Sequence, residues 1–261
     1  MRLGKTIKAT RTLNIHDMRD VSKVLLFRND LSPFLVHLTR NINNRHTDRN
    51  NLRSILGERT LKCGTSTISD ARFGVLPGQV EPNKSCFCAI SFTETPLGEV
   101  HNLLEIEGRS VNLSPYGLVF LKDKLKKKGV SPVVYINNMK GDKDEMIRAL
   151  CSLIESNTPA AKKILPYIAV FGKKLDPMGG TPQSGSIDFI WEREWRYASR
   201  NNELRFREGD VFIGLCPDDE IDYFKEQFPW LDFIDPRRNM KWYSEKLVDA
   251  RHRSRLKYSV V

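Results

Sequence analysis

The strongest constraint on the fold is a run of alternating side chains, WEREWRY, in the second half of the chain at 191–197. In an extended strand, successive side chains point to opposite faces, so Glu192, Glu194 and Arg196 would share one face. Two glutamates spaced in this way lie about 6–7 Å apart at Cα, from a rise of about 3.3 Å per residue. The run therefore predicts a strand that holds two like charges close together.

Two interpretations of this acidic pair remain open at the level of the sequence. Like charges held together cost free energy unless a site uses one or both of them. Paired carboxylates of this kind stabilise the positively charged sugar that forms when a glycosidic bond breaks. Alternatively, the acids lie on a solvated strand face, where Arg196 forms an ion pair with one of them.

Short apolar runs and helical segments surround the acidic strand and predict one α+β domain spanning residues 1–261. The chain has no internal repeat and no low-complexity linker. Residues 1–32 form a basic N-terminal segment, and 242–261 predict a basic C-terminal helix. The other predicted strands are at 34–40, 85–93, 116–121, 133–136 and 211–215, and the other predicted helices are at 52–56, 143–155 and 159–171.

Charge and cysteine content narrow the setting in which the protein works. Lysine and arginine number 42 against 32 acids, for a net charge of +10. This excess favours a polyanion such as nucleic acid as a partner. Five cysteines are an odd, sparse set without zinc-like spacing, which argues against a disulfide scaffold and a metal site and favours a cytoplasmic location. No apolar run reaches membrane-spanning length, so we expect no membrane association.

Two basic stretches are candidate nucleic-acid contacts, because lysine and arginine side chains follow a phosphate backbone. One is the lysine-rich segment after the strand at 116–121, and the other is the C-terminal helix. A solvated basic face would explain either stretch equally well. The candidate residues are Lys122, Lys124, Lys126, Lys127, Lys128, Arg251, Arg253 and Arg255.

The first predicted strand carries a second candidate site. His37 and Thr39 are two residues apart and therefore point the same way. An imidazole and a hydroxyl in this arrangement can hold a polar ligand through hydrogen bonds. A histidine in a strand can also be an ordinary core residue whose hydrogen bonds are satisfied.

The order of these motifs resembles the ADP-ribosyltransferase fold, a split antiparallel sheet with flanking helices. More narrowly, it is similar to the AbiGi-type family of abortive-infection proteins and to the ADP-ribosyltransferase toxins of bacterial defence that modify DNA or RNA. The motifs that carry the resemblance are Leu35–Arg40, Asn51–Leu56, Ser91–Leu97, Tyr116–Phe120 and Trp191–Tyr197.

The resemblance implies a binding site for NAD as a substrate. By that analogy, His37 and Thr39 hold the nicotinamide ribose and amide, and Ser91 and Thr93 brace the nicotinamide pocket. Some branches use an arginine to hold the NAD phosphates, which would be Arg40 here. Both His37 and Arg40 are present, so the branch stays open.

The resemblance also implies roles for the two glutamates. Glu194 would stabilise the oxocarbenium-like sugar as nicotinamide leaves, and Glu192 would activate the incoming nucleophile. No metal is required for this chemistry. The variant Glu194→Gln is then expected to keep the fold and lose ADP-ribose transfer.

These observations predict an NAD-dependent ADP-ribosyltransferase that modifies RNA or DNA, acting as a toxin or effector in bacterial anti-phage defence. A neutralising antitoxin protein would be its partner. One alternative is a non-enzymatic abortive-infection antitoxin or nucleic-acid-binding regulator. Another is a ribonuclease-like toxin in which His37 and the paired glutamates serve as acid and base.

Overall fold

A computed structural model describes residues 31–40, 45–63, 88–106, 112–140, 144–173, 186–188, 190–199, 201 and 203–256. The predicted N-terminal segment 1–32, except for its last two residues, and the last five residues of the predicted C-terminal helix lie outside these ranges. The strands are β1 (Phe34–Arg40), β2 (Thr60–Lys62), β3 (Ile90–Thr93), β4 (Leu113–Leu121), β5 (Ser131–Pro132), β6 (Val134–Asn138), β7 (Ile168–Lys173), β8 (Ser186–Ile187), β9 (Glu194–Tyr197), β10 (Glu203–Arg205), β11 (Val211–Leu215) and β12 (Phe233–Ile234). The helices are α1 (Arg45–Glu58), α2 (Lys122–Lys127), α3 (Glu145–Ser156), α4 (Pro159–Ile164), α5 (Ile221–Gln227) and α6 (Ser244–Arg253).

The main sheet has seven strands in the order β12-β11-β4-β1-β3-β9-β5. Its neighbouring strands are antiparallel except for β11 and β12, which are parallel. The central strand β1 is an almost continuous apolar run because both of its faces are largely buried. The predicted α+β class is confirmed, whereas an ADP-ribosyltransferase-type sheet stays a prediction.

Helices α1 and α6 supply part of the apolar core around the main sheet. Leu52 and Leu56 of α1 are buried one turn apart, as the helical spacing at 52–56 predicted. Leu247 and Ala250 of α6 are buried in the same way, and both helices share one core cluster with β1, β4 and β11. The strands predicted at 34–40, 116–121 and 211–215 all lie in this core.

A second, smaller sheet contains β6, β7 and β8, with β6 and β7 parallel. Helices α3 and α4 connect β6 to β7, and we call residues 134–173 with β8 the three-stranded unit. Each helix begins at a side-chain cap, Asp144 for α3 and Thr158 for α4. The unit has its own core of Ile136, Ile147, Leu150, Ile154, Ala161, Leu165 and Val170.

The helix predicted at 159–171 is wrong in its second half. Helix α4 ends at Ile164, a short 3₁₀ turn covers Leu165–Tyr167, and the chain then extends into β7. Pro166 supplies no backbone N–H to continue the α-helical ladder. Residues 168–172 instead pair with β6, which uses their backbone groups in a sheet.

Cys63 and Cys88 form a disulfide between the end of β2 and the approach to β3. The sparse cysteines argue against a disulfide scaffold. Among the described residues, Cys63–Cys88 is the one disulfide bond. Cys151 and Cys216 are free thiols. Within the part of the chain that the structure covers, no helix is both long and apolar enough to cross a bilayer.

Candidate functional site

The acidic run does not form one continuous strand. Strand β9 begins only at Glu194, while residues 190–192 form a 3₁₀ turn and Arg193 has a left-handed backbone with φ of +45°. The Thr93 hydroxyl donates to the Glu192 carbonyl oxygen at 2.6 Å and holds this turn against β3. The prediction of one continuous strand through Glu192 and Glu194 is therefore wrong, because the chain bends at Arg193 between them.

Glu194 lies in a buried ion pair. Its side chain is 4% exposed, and its two carboxylate oxygens accept hydrogen bonds from Arg196 Nε at 2.9 Å and Nη2 at 2.8 Å. This two-point pairing is the strongest common arrangement of a carboxylate and a guanidinium. The alternative interpretation named the correct partner, Arg196, but the pair is buried and not solvated.

Arg196 also joins the main sheet to the three-stranded unit. Its Nη1 donates to the carbonyl oxygens of Pro166 at 2.8 Å and Ile168 at 2.9 Å. The backbone N–H of Glu194 donates to the Tyr135 hydroxyl at 2.8 Å, and that of Ala198 donates to the Tyr167 hydroxyl at 3.2 Å. Strand β9 is therefore the structural joint between the two sheets.

Sequence reasoning missed the role of Tyr135. Burial, followed by the nearby carboxylates of Glu194 and Glu192, raises the pKa of its hydroxyl to about 12, against the opposing effect of its hydrogen bond with the Glu194 backbone. Tyr135 thus stays protonated at neutral pH. The only signal for it in the sequence was its position in an apolar strand.

His37 projects from the sheet face opposite to Glu194. Val36 is paired with Thr93, and Thr93 is paired with Glu194, so these three side chains share one face. His37, one residue further along β1, points to the other face, where its ring lies 5.7 Å from that of Phe92. The predicted catalytic acid and the predicted cofactor-binding histidine are thus not brought together on one side of the sheet.

The hydrogen bonding of His37 is satisfied within the sheet. Its Nδ1 donates to the Ser91 carbonyl oxygen at 2.9 Å. Burial lowers the pKa of the imidazole, and the hydrogen bond to Ser91 opposes this effect in part. His37 is therefore a neutral, half-buried histidine at neutral pH, as the core-residue interpretation expected.

The other predicted NAD-binding residues fall into separate groups. Thr39 is buried, with its hydroxyl 2.6 Å from the Ser114 hydroxyl and donating to the Tyr116 carbonyl oxygen at 3.1 Å. Thr93 contacts the Glu192 turn, and Ser91 is paired in register with Arg196. Arg40 is half-buried at the end of β1. Their roles in NAD binding stay predictions.

A second buried carboxylate, Glu94, was not predicted as a site residue. Its Oε1 accepts from Lys122 Nζ at 2.7 Å and lies 3.5 Å from Arg193 Nη2, and its Oε2 accepts from Trp195 Nε1 at 2.8 Å. The sequence feature that could have indicated Glu94 is its position directly after β3. Lys122 is 11% exposed in its side chain, so its assignment to a nucleic-acid surface is wrong.

The remaining predicted nucleic-acid contacts differ in how freely they face solvent. Lys124, Lys126 and Lys127 are exposed on α2, with Lys126 3.5 Å from Asp123. Lys128 is 3.2 Å from Asp210.

The three arginines of the C-terminal helix also differ from one another. Arg253 pairs with Asp232 at 2.9 Å and donates to the Phe212 carbonyl oxygen at 2.6 Å, which fixes α6 to β11. Arg251 is half-buried near the Leu256 carbonyl, and Arg255 is exposed. Arg253 therefore has a structural role, and nucleic-acid binding by the exposed residues stays a prediction.

Comparison with known proteins gives one match. Residues 84–208 match the family model described as "Putative abortive phage resistance protein AbiGi, antitoxin". No curated protein and no solved structure matches the chain. The matched segment is slightly less than half of the chain and contains Glu94, the three-stranded unit and β9. Over these residues, the chain is similar to the AbiGi family of abortive phage resistance proteins.

Proposed function

We propose that the protein is a non-enzymatic, antitoxin-type component of an abortive phage resistance system, which neutralises a toxin protein by binding it. The observation that carries the proposal is the match of residues 84–208 to a family model described as an antitoxin. The expected partner is therefore a toxin, in place of the neutralising antitoxin that the sequence alone predicted.

The state of Glu194 supports a non-enzymatic role. A carboxylate that stabilises an oxocarbenium-like sugar must present an oxygen to that sugar. Here both oxygens of Glu194 accept hydrogen bonds from Arg196, and the side chain is 4% exposed. His37 projects from the other face of the sheet. NAD-dependent transfer to nucleic acid stays a prediction that the same experiments can test.

Growth of a bacterial host separates an antitoxin from a toxin. We expect induction of the chain alone to leave growth unchanged. We expect co-induction with a toxin candidate to relieve the growth arrest that this candidate causes. Arrest by the chain alone would overturn the proposal. Loss of that arrest in Glu194→Gln would assign it to an enzyme if the variant accumulates as folded protein, as the exposed control variant Lys162→Gln should.

A biochemical assay addresses the enzyme directly. Purified protein is incubated with labelled NAD and separate pools of RNA, DNA and protein, with and without the toxin candidate. The proposal expects no label in any pool and no RNA fragments. Transfer of label to RNA or DNA would support the ADP-ribosyltransferase, and fragmentation without NAD would support the ribonuclease-like alternative.

A further inference from the structure

Helices α1 and α5 carry two arginines that converge on one tyrosine. Arg49 and Arg53 are four residues apart on α1 and therefore lie on the same helix face. The Arg49 guanidinium carbon lies 5.0 Å from the centre of the Tyr223 ring, and Arg53 Nη1 lies 3.4 Å from the Tyr223 hydroxyl. These three side chains form what we call the Arg49–Arg53–Tyr223 cluster.

The two arginines differ in their partners from several other arginines of the described chain. Arg59 pairs with Glu208, Arg238 with Asp218 and Arg253 with Asp232. In the described ranges, by contrast, no carboxylate lies within ion-pair distance of Arg49 or Arg53. Two adjacent positive charges without a counter-charge are unfavourable in the absence of a ligand.

Arg49 also has a donor without an acceptor in the described part of the chain. Its Nη2 lies 3.0 Å from His46 Nδ1, but its buried Nε has no hydrogen-bond partner among the described residues. A buried donor without an acceptor costs free energy, so such a group calls for an explanation. Stability alone does not account for an arginine held in this way.

The neighbouring polar groups supply donors and positive charge. Hydrogen bonds from Gln227 and then from Arg53, together with the charges of both arginines, lower the pKa of the Tyr223 hydroxyl. The cluster therefore offers guanidinium and amide N–H groups and lies in a positive field. A ligand that complements it must be an anion with several acceptor oxygens, which describes a phosphate group.

We propose that the Arg49–Arg53–Tyr223 cluster binds a phosphate group, and that this phosphate belongs to a nucleic-acid backbone. The chain's net charge of +10 favours a polyanion over an isolated phosphate. The proposed site lies outside residues 84–208 and goes beyond the proposed function. It also differs from the lysine-rich α2 surface that the sequence indicated.

Fluorescence anisotropy with a labelled single-stranded RNA of about 16 nucleotides tests the site, since that length spans a typical single-strand binding site. The double variant Arg49→Gln/Arg53→Gln should weaken binding by about tenfold for each arginine. The slope of log affinity against log salt should fall by about one for each lost phosphate contact.

The matched control is Lys162→Gln/Lys163→Gln, which removes the same charge from exposed positions of α4. It should retain most of the affinity. An equal loss in this control would overturn the proposal, because binding would then follow net charge and not the cluster. Failure of the wild-type protein to bind the RNA would also overturn it.

Competition with inorganic phosphate distinguishes the two sources of a phosphate group. We expect the RNA to be displaced only at phosphate concentrations far above those of competing unlabelled RNA. Displacement by phosphate at RNA-like concentrations would overturn the assignment to a nucleic-acid backbone.

Arginine modification keeps the test independent of the folding of the variants. Wild-type protein is treated with phenylglyoxal with and without the RNA, and modified arginines are located by mass spectrometry. The RNA should protect Arg49 and Arg53 but leave the exposed Arg205 reactive. Equal reactivity of Arg49 and Arg53 with and without bound RNA would contradict the proposed site.

Discussion

The main sheet and the three-stranded unit differ in how completely they cover their apolar side chains. The main core joins β1, β4, β11 and several helices, and its central residues are fully buried. The unit has a core of seven residues and leaves four large apolar side chains between 47% and 59% exposed. They are Val134 at 57%, Met139 at 47%, Met146 at 59% and Ile164 at 51%.

This difference explains why polar groups at β9, the joint between the two sheets, contribute to the stability of the unit. A small apolar cluster contributes little burial, so the unit depends more on its contacts with the main sheet. Those contacts include the hydrogen bonds of Arg196 to Pro166 and Ile168, and those of Tyr135 and Tyr167 to the β9 backbone. Substitutions at the joint and within each region test this difference.

Arg196→Met should have the largest effect on stability. It leaves Glu194 buried without its counter-charge and removes two hydrogen bonds to the unit, so the free energy of unfolding should fall by about 3–5 kcal/mol. Urea denaturation measures this change. The double variant Glu194→Leu/Arg196→Met should recover part of the loss, because it removes both buried charges. A single-variant loss below about 1 kcal/mol, typical of an exposed pair, would contradict the buried joint.

Ile147→Ala should weaken the unit more than the main sheet. Ile147 is 1% exposed, and removing a buried isoleucine side chain costs about 2–5 kcal/mol, with the lower half expected where a small cluster can collapse. Hydrogen exchange should accelerate across 145–173 but not in β4. Leu118→Ala, in the main core, is the control and should accelerate exchange in both regions. Uniform acceleration by Ile147→Ala would show that the two regions unfold together.

Lys122→Ala tests the second buried carboxylate, within the main sheet. It removes a charged hydrogen bond to Glu94, whose other contacts to Arg193 and Trp195 remain, so the loss should be about 1.5–3 kcal/mol. Lys124→Ala, on the exposed side of α2, should change stability by less than about 0.5 kcal/mol. Chemical denaturation of both variants compares them. Equal losses of stability in the two variants would contradict the burial of Lys122.

The smallest expected effect is the pH dependence contributed by His37. Because burial lowers its pKa in the folded state, the unfolded chain binds the proton more readily. The stability contribution is therefore complete above the ordinary histidine pKa of about 6.5 and is lost as the pH falls below it. Thermal unfolding between about pH 5 and 8 should show a shallower decline in His37→Asn than in wild type. Identical pH profiles would contradict a shifted His37.

Much of the main sheet could be predicted because its strands are local apolar runs. β1, β4 and β11 each consist of consecutive β-prone residues, so the local sequence is enough to predict them. Strands β2 and β10 were not predicted, since three residues carry too little pattern. Helix α4 was predicted too long, although Pro166 marked its end.

The candidate site could be predicted only in part, for a different physical reason. Arg196 was identified as an alternative partner of the glutamates because it shares their strand pattern. Its burial could not be predicted, since the covering groups come from residues 135–168. The burial of Lys122 depends in the same way on Glu94, 28 residues away. No feature of the sequence predicted the left-handed backbone of Arg193.

The contacts of Arg196 with both sheets have a consequence for how relatives of this protein diverge. Its guanidinium connects Glu194 on one side with two carbonyl oxygens of the three-stranded unit on the other. Loss of the ion pair alone, or of the unit alone, would therefore leave buried polar groups without partners. Loss of residues 134–173 in a descendant lineage would open this pair to water, and selection for it would then relax. We expect the Glu-x-Arg pattern and the three-stranded unit to be inherited, or lost, together.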